Sequence, residues 1–529
     1  MLKLDNCHHR EHYVKNGLWF TEDHIPVRKL FLTNIPEDLK EDTLFEHFKR
    51  FGSVISAQLF YNAGFVLFAN ASDATKALEI KNHHVNGHII DVIVAESWHQ
   101  PDSFEASQPP TAGDQSGEAY ILKIPDDCLS MILKFLPLAD QVHFQTVCKR
   151  FQFVYQLTAR SIHKSIASQE LDNLTLLECR QFFLISGPCV TDLNLTHSNF
   201  PECMLKYFGR NCINLKSLQL PQFQLTVEIM FEIFSSTDKL ENLKLNNCYL
   251  ADKTLLALKN LKNLKKLDLA WNYSLSGLHL EELPVSIENL NLMGCHSIQS
   301  GYLIQMCKSL TNLRELDIGY VDSNLAEVFN NMVKKGYCPL LETLRLSIDG
   351  KYEDIAQLPK LKSIYIHYIS EKINVTELFD QLVLFKSKEL EELKIKLILV
   401  CFITKEILMK IPKLSGLKTL AICCTPNIDD EVLNAFTNLR KLEHIDLGFC
   451  DQVNDSNVLR LVLGCPKLQK VSLVGCSQIT QKLLDNIILK IPIHYKKNER
   501  KLPITIYLRS SKGFHTPTAQ DIVKIISII

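Results

Sequence analysis

At 529 residues, with 46% of them hydrophobic, the chain exceeds one ordinary domain and has the apolar content for roughly two to four packed units rather than a disordered polymer. Its 58 basic and 59 acidic residues leave a net charge of −1, which excludes attraction to nucleic acid driven by overall charge. No apolar run approaches the roughly 18 residues of a membrane span, and MLKLDNCHHREH carries charge where a signal peptide needs an apolar core. The 17 cysteines contain no CxxC pair and read as free thiols of a cytoplasmic or nuclear protein, with no metal or cofactor expected.

In chain order, residues 29–34 form an apolar, β-rich run. Residues 37–50 carry Leu39, Leu44, Phe45 and Phe48 at helical spacing. Segments 54–60 and 65–68 read as strands joined by a short turn at Asn62, Ala63 and Gly64; 72–81 reads as a helix and 89–94 as a last strand. The order βαββαβ predicts a ferredoxin-like, four-stranded antiparallel sheet backed by two helices over residues 27–97, within a multidomain α/β chain. With Leu30-Phe31-Leu32-Thr33-Asn34-Ile35 and Gly64-Phe65-Val66-Leu67-Phe68 as its signature strands, this stretch resembles an RNA recognition motif. The resemblance implies that Phe31 and Phe65 stack bases, at roughly 1–3 kcal/mol per base. Tyr61, Asn62 and Ala63 depart from it, standing where the family has a basic residue, glycine and an aromatic. Between residues 27 and 98 seven basic side chains meet nine acidic ones, a poor match for phosphates.

Residues 98–119, rich in Pro, Gly, Ser and acid, read as a flexible linker averaging on the order of 25 Å in span. In 120–165, Pro125 suits a first helical turn, and Asp126 and Asp127 suit its positive end. Leu129, Ile132, Leu133 and Leu136 line one face; Asp140 is placed to cap the next helix, and Phe144, Val147, Cys148 and Phe151 line a further stripe. Three helices in so short a segment cannot bury this surface alone and must dock on something. The punctuation Ile124-Pro125-Asp126-Asp127, Leu136-Pro137-Leu138 with Asp140, and Val147-Cys148-Lys149-Arg150-Phe151 resembles an F-box, with Phe151 where the family has Trp. The resemblance implies binding to a Skp adaptor and through it to a cullin–RING ubiquitin ligase. The adaptor-facing residues it implies are Ile124, Pro125, Leu129, Leu133, Leu136, Pro137, Val147, Cys148 and Phe151.

From residue 190 an aliphatic-x-x-aliphatic-x-aliphatic pattern recurs about 12 times to residue 491, at spacings of 20 to 29 residues. This is the period of leucine-rich repeats, which stack one strand and one helix each into a horseshoe. Residues 166–189 and 492–529 would cap the array. Cys248, Cys295, Cys450 and Cys476, with Asn272, recur three residues after the last strand leucine, and Cys212, Cys338 and Cys465 three residues before the first. The pattern resembles the cysteine-containing repeat subfamily that often follows an F-box. Strand alternation turns Asp268, Asn291, Asp317, Arg345, Tyr365, Lys394 and Asp446 to the concave face, with Trp271, Tyr320 and Phe449 at strand exits. Aromatic and arginine side chains there are candidate contacts for a target protein. Lys496, Lys497, Arg500 and Lys501 read as a solvated face. These resemblances imply a non-catalytic substrate-recognition subunit of a Skp–cullin–F-box ligase holding an unidentified target; the alternative is an RNA- or ribonucleoprotein-associated adaptor.

Overall fold

The computed structural model describes residues 12–21, 25–36, 39–59, 63–80, 83–95, 100–101, 120–196, 200, 204–395, 403–495, 500–509 and 520–528. Two compact units emerge: Met1–Leu218 with Ser235–Thr237, and Gln219–Phe234 with Asp238–Ile529.

In the first unit a hairpin of β1 (Tyr13–Lys15) and β2 (Leu18–Phe20) precedes β3 (Lys29–Thr33), α1 (Glu41–Phe48), β4 (Val54–Leu59), β5 (Gly64–Phe68), α2 (Ala71–Leu78), β6 (His83–Val85) and β7 (His88–Val94). The antiparallel sheet has order β4-β5-β3-β7-β6. Alternation along β3 sends Leu30 and Leu32 into a core with Leu44, Phe48, Val66 and Phe68, and leaves Phe31 outside. The sheet has five strands rather than the four predicted, because Asn86 (φ 48°) and Gly87 (φ 83°) turn β6 back onto β7. This Asn-Gly pair is the residue choice a tight hairpin requires.

Both edges of the predicted domain move outward. Trp19 packs on the same core and its backbone N–H donates to Thr75 Oγ1 at 3.3 Å, so the packed unit begins before residue 27. Gln100, assigned to the linker on composition, is 2% exposed. Its Oε1 accepts from the N–H groups of Arg28 and Lys29, both at 2.8 Å, and its Nε2 donates to the Ala95 carbonyl at 2.7 Å. Residues 102–119 of the linker, together with Tyr61 and Asn62, lie outside the described residues.

A 3-10 turn at Tyr120–Lys123 leads into α3 (Asp126–Phe135), α4 (Leu138–Val147) and α5 (Lys149–Ile162). Pro125 and Pro137 sit just ahead of α3 and α4 with extended ψ, where a missing N–H costs nothing. Asp140 lies in the first turn of α4 rather than at its cap. Leu129, Leu133, Phe144, Phe151, Val154, Tyr155 and Ala159 form the core, with the Phe144 and Phe151 rings stacked at 4.3 Å. Arg150 fastens the entrance: it donates to Asp126 Oδ1 at 2.8 Å, to the Ile124 carbonyl at 2.6 Å and to the Leu122 carbonyl. Buried His163 bridges Gln141 Oε1 (2.7 Å) and Ser186 Oγ (2.9 Å), and Tyr155 joins the same serine.

The second unit is a solenoid of consecutive parallel strands, from Asn242–Lys244 through Lys470–Ser472 and on to Ile504–Arg509 and Val523–Ile528. The strand leucines point inward and are almost wholly buried. Between repeats, the predicted slots are filled by side chains that satisfy stack carbonyls. Cys248 Sγ donates to Leu220 O at 2.8 Å, Cys295 Sγ to Leu269 O at 3.2 Å and Cys476 Sγ to Leu447 O at 3.1 Å. Asn272 does more: Oδ1 accepts from the N–H groups of Cys248 and Leu250, and Nδ2 donates to the carbonyls of Leu245 and Leu269. Burial holds the Cys295 and Cys450 thiols up at about 11 and about 12, so they stay protonated.

A second column runs along the leading edge of the sheet. Glu241, Lys265, Glu288, Arg314, Glu342, Lys362, Glu391, Lys418 and Glu443 occupy one position of successive repeats, and their signs alternate without exception. Each backbone N–H after the first donates to the carbonyl of the residue before it in the column, at 2.7–2.9 Å. Arg314 pairs with Glu342 at 2.6 Å, Lys362 with Glu342 at 3.2 Å and Lys418 with Glu391 at 2.8 Å. At the far end, Arg500 is not on a solvated face. It is 7% exposed and donates to the carbonyls of Val462 (2.6 Å) and Leu468 (2.9 Å), closing the C-terminal end of the helix Asp455–Gly464. Lys496 and Lys497 lie outside the described residues.

Candidate adaptor, nucleic-acid and target surfaces

Helix α3 is apolar on both sides. Leu129 and Leu133 face the three-helix core and are 0% exposed. Cys128, Met131, Ile132 and Phe135 point the other way, and Phe135 is 85% exposed. A helix apolar all round is one that is covered all round. Tyr120, Ile121 and Leu122 from the entry turn and Val147 from the end of α4 are also exposed. Of the residues the F-box resemblance implies as adaptor-facing, Pro125, Pro137 and Val147 are exposed, and Ile124, Leu136 and Cys148 are half-buried against the core. Leu129, Leu133 and Phe151 are inside it and offer no surface. Sequence reading overlooked Met131 and Phe135. Their spacing from Leu129 and Leu133 places them on the opposite helix face, and that was the available signal.

On the outer face of the first domain's sheet, Phe31 and Phe65 are cross-strand partners with ring centroids 5.1 Å apart. Lys29 lies on the same face, its Nζ 4.4 Å from the centre of the Phe65 ring. Ile93, opposite Phe31 on β7, is half exposed and continues the apolar row.

In the solenoid, the predicted sheet-face residues divide by role. Asp268, Asn291, Asp317 and Asp446 each turn a side-chain oxygen back to the N–H two residues on, at Ala270, Met293, Gly319 and Gly448. These bonds end the strand, so the residues serve the fold first. Burial raises the Asp268 carboxyl above the usual carboxylate range. Where Arg345 and Tyr365 replace the Asx residue, the strands run on as Thr343–Ile348 and Ser363–Ile369, six and seven residues instead of three. Around them lies a 610 Å³ depression lined by Glu315, Asp317, Arg345, Tyr365, His367 and Lys394, among others. Arg345 pairs with Glu315 at 3.6 Å, Lys394 with Glu392 at 2.8 Å and His367 with Asp317 at 3.1 Å.

Trp271 (φ 63°), Tyr320 (φ 56°) and Phe449 (φ 58°) share one repeat position with Asn247, Gly294 and Gly475, and all are left-handed. That backbone is costly for a bulky side chain, roughly 1–3 kcal/mol. The Trp271 and Phe449 rings lie over the glycine of the next repeat: a Cβ on Gly294 would sit 2.2 Å from Trp271 Cε3, and one on Gly475 2.4 Å from Phe449 Cδ1. Trp271 stacks on Tyr320 at 6.2 Å, and Tyr273 on His296 at 5.6 Å.

Two family models match parts of the chain. The RNA recognition motif model matches residues 30–90 and the F-box domain model residues 121–154. The order is therefore an RNA-recognition-motif-like domain, an F-box domain and a repeated α/β solenoid. A curated relative, "Putative RNA-binding protein EEED8.10" of Caenorhabditis elegans, is 25% identical over 425 residues, covering 73% of this chain and 54% of its own. The chain thus spans about half the length of that relative. Among solved structures, the yeast Rad7 and Elc1 complex matches 69% of this chain and 92% of that one at 19% identity and a TM-score of 0.45. The RRM3 domain of Mip6 matches 13% of this chain and 94% of that one at 20% identity and a TM-score of 0.13. No helix among the described residues is long and apolar enough to cross a membrane.

Proposed function

We propose that the chain is the substrate-receptor subunit of a cullin–RING ubiquitin ligase, of the Skp–cullin–F-box type. The F-box would tether the receptor to a Skp-type adaptor, and the sheet face of the solenoid would hold the target protein. An F-box joined to leucine-rich repeats is the architecture of a non-catalytic adaptor subunit. Rate enhancement then comes from holding the target near a charged ubiquitin carrier, not from groups on this chain. The observation that carries the reading is the outward apolar face of α3, with Phe135 85% exposed and Met131 60% exposed, which nothing among the described residues covers. Co-purification of the Skp adaptor with the full chain should be lost in a Met131→Ala/Phe135→Ala variant. Wild-type chain that captures no adaptor would sink the proposal.

A second reading, an RNA- or ribonucleoprotein-associated adaptor, is favoured by the Phe31–Phe65 platform with Lys29 beside it. Crosslinking to RNA in cells should fall severalfold in a Phe31→Ala/Phe65→Ala variant. Equal signal from both proteins would remove this role.

A further inference from the structure

The strand-exit rim of the solenoid combines aromatic faces with a one-sided charge balance. Residues 246–252, 270–277, 293–299 and 319–324 are the exit loops of four consecutive repeats, and they contain no lysine or arginine. They do contain Tyr249, Trp271, Tyr273, His296, Tyr320 and Asp322. Tyr249 is 66% exposed and Tyr273 is 50% exposed, so the rings are not spent on packing. Trp271 and Tyr320 are held in the left-handed slot that neighbouring repeats give to Asn247 and Gly294. Gly294 leaves room for the indole to lie flat over the next repeat. Stacking of Trp271 on Tyr320 and of Tyr273 on His296 makes the surface continuous across the last three of these loops. Asp322, 75% exposed at its side chain, stands beside His296 at 3.2 Å, whereas Asp268 and Asp317 at the strand ends are engaged by their turns and, for Asp317, by His367.

We propose that this rim binds an arginine-bearing, extended segment of the target protein. Aromatic faces attract a cation through the ring quadrupole, and the planar guanidinium stacks where an ammonium cannot. The exposed Asp322 carboxylate, on loops without lysine or arginine, adds charge complementarity to a cation and repels a polyanion, so RNA is disfavoured there. The inference rests on the solenoid being the target-holding element, and it is independent of the F-box contact.

Calorimetry on the full chain would use a short glycine–serine peptide carrying a pair of arginines, with the same peptide carrying glutamines as its control. The arginine peptide is expected to bind at least about tenfold more tightly than the control. Tyr273→Ala and Asp322→Asn, both at exposed positions where folding is not at stake, should each weaken it severalfold, and Tyr320→Ala should weaken it further. Asp322→Asn should also flatten the salt dependence. Equal binding of the two peptides, or no change in any of the three variants, overturns the proposal. So does a single-stranded oligonucleotide that competes for the rim. Adaptor capture by the same preparations separates this failure from failure of the ligase reading.

Discussion

Phe135 is where the adaptor reading can be tested in energy. Its side chain is 85% exposed on α3, while Leu133, two residues earlier, is 0% exposed. A phenylalanine side chain buries about 150–250 Å² when fully covered. At about 25 cal/mol per Å², covering the exposed share of that area yields about 3–5 kcal/mol. Imperfect coverage and ordering costs lower the realised figure, so Phe135→Ala should weaken adaptor binding by about 3 kcal/mol, roughly a hundredfold in Kd. The same change should leave the unfolding free energy of the free chain, measured in urea, within about 0.5 kcal/mol of wild type. Leu133→Ala should do the reverse first, costing about 2–5 kcal/mol of stability through the cavity it leaves. Titration calorimetry against purified Skp adaptor, beside urea denaturation, measures both. An affinity unchanged in Phe135→Ala, or a stability loss as large as that of Leu133→Ala, would refute the assignment of this face.

Two further outcomes follow from buried polar groups. Asn272→Ala strands two N–H groups and two carbonyls inside the stack and should cost about 3–5 kcal/mol by denaturation, whereas Asn272→Cys, the residue other repeats use, should cost less. His163 is pushed down from 6.5 to about 4 by burial, so its neutral form belongs to the folded state and its proton to the unfolded one. Its contribution is complete above pH 6.5 and is lost as pH falls towards about 4, at about 1.4 kcal/mol per pH unit and about 3 kcal/mol in all. His163→Gln should flatten stability against pH over that window; an unchanged slope would remove the assignment.

What was legible in the sequence is what depends on periodic burial. The recurring aliphatic triplets fix the solenoid strands because each leucine has one inward direction, and the Cys/Asn slot follows because its carbonyl partners recur with the repeat. Roles set by backbone conformation were not legible. Asp268 and Asp317 looked like sheet-face ligands, yet each gives an oxygen to the turn that ends its strand. Leu129 and Phe151 matched adaptor-facing positions by motif, but a motif does not state which side of a helix is already occupied. Gln100 sits in a stretch whose composition reads as linker, and its four-way anchoring depends on Arg28 and Lys29, 72 and 71 residues earlier, as well as on nearby Ala95, a pairing composition cannot see.

The alternating column from Glu241 to Glu443 imposes a parity on the solenoid. Excising or duplicating one repeat would seat two carboxylates or two cations in adjacent strands about 4.8 Å apart, at a cost of up to roughly 1 kcal/mol for the misplaced pair. Removing or adding two repeats would restore plus against minus at the splice. The array can therefore be lengthened or shortened smoothly only in even steps, and a strand that slips by one repeat during folding meets its own sign.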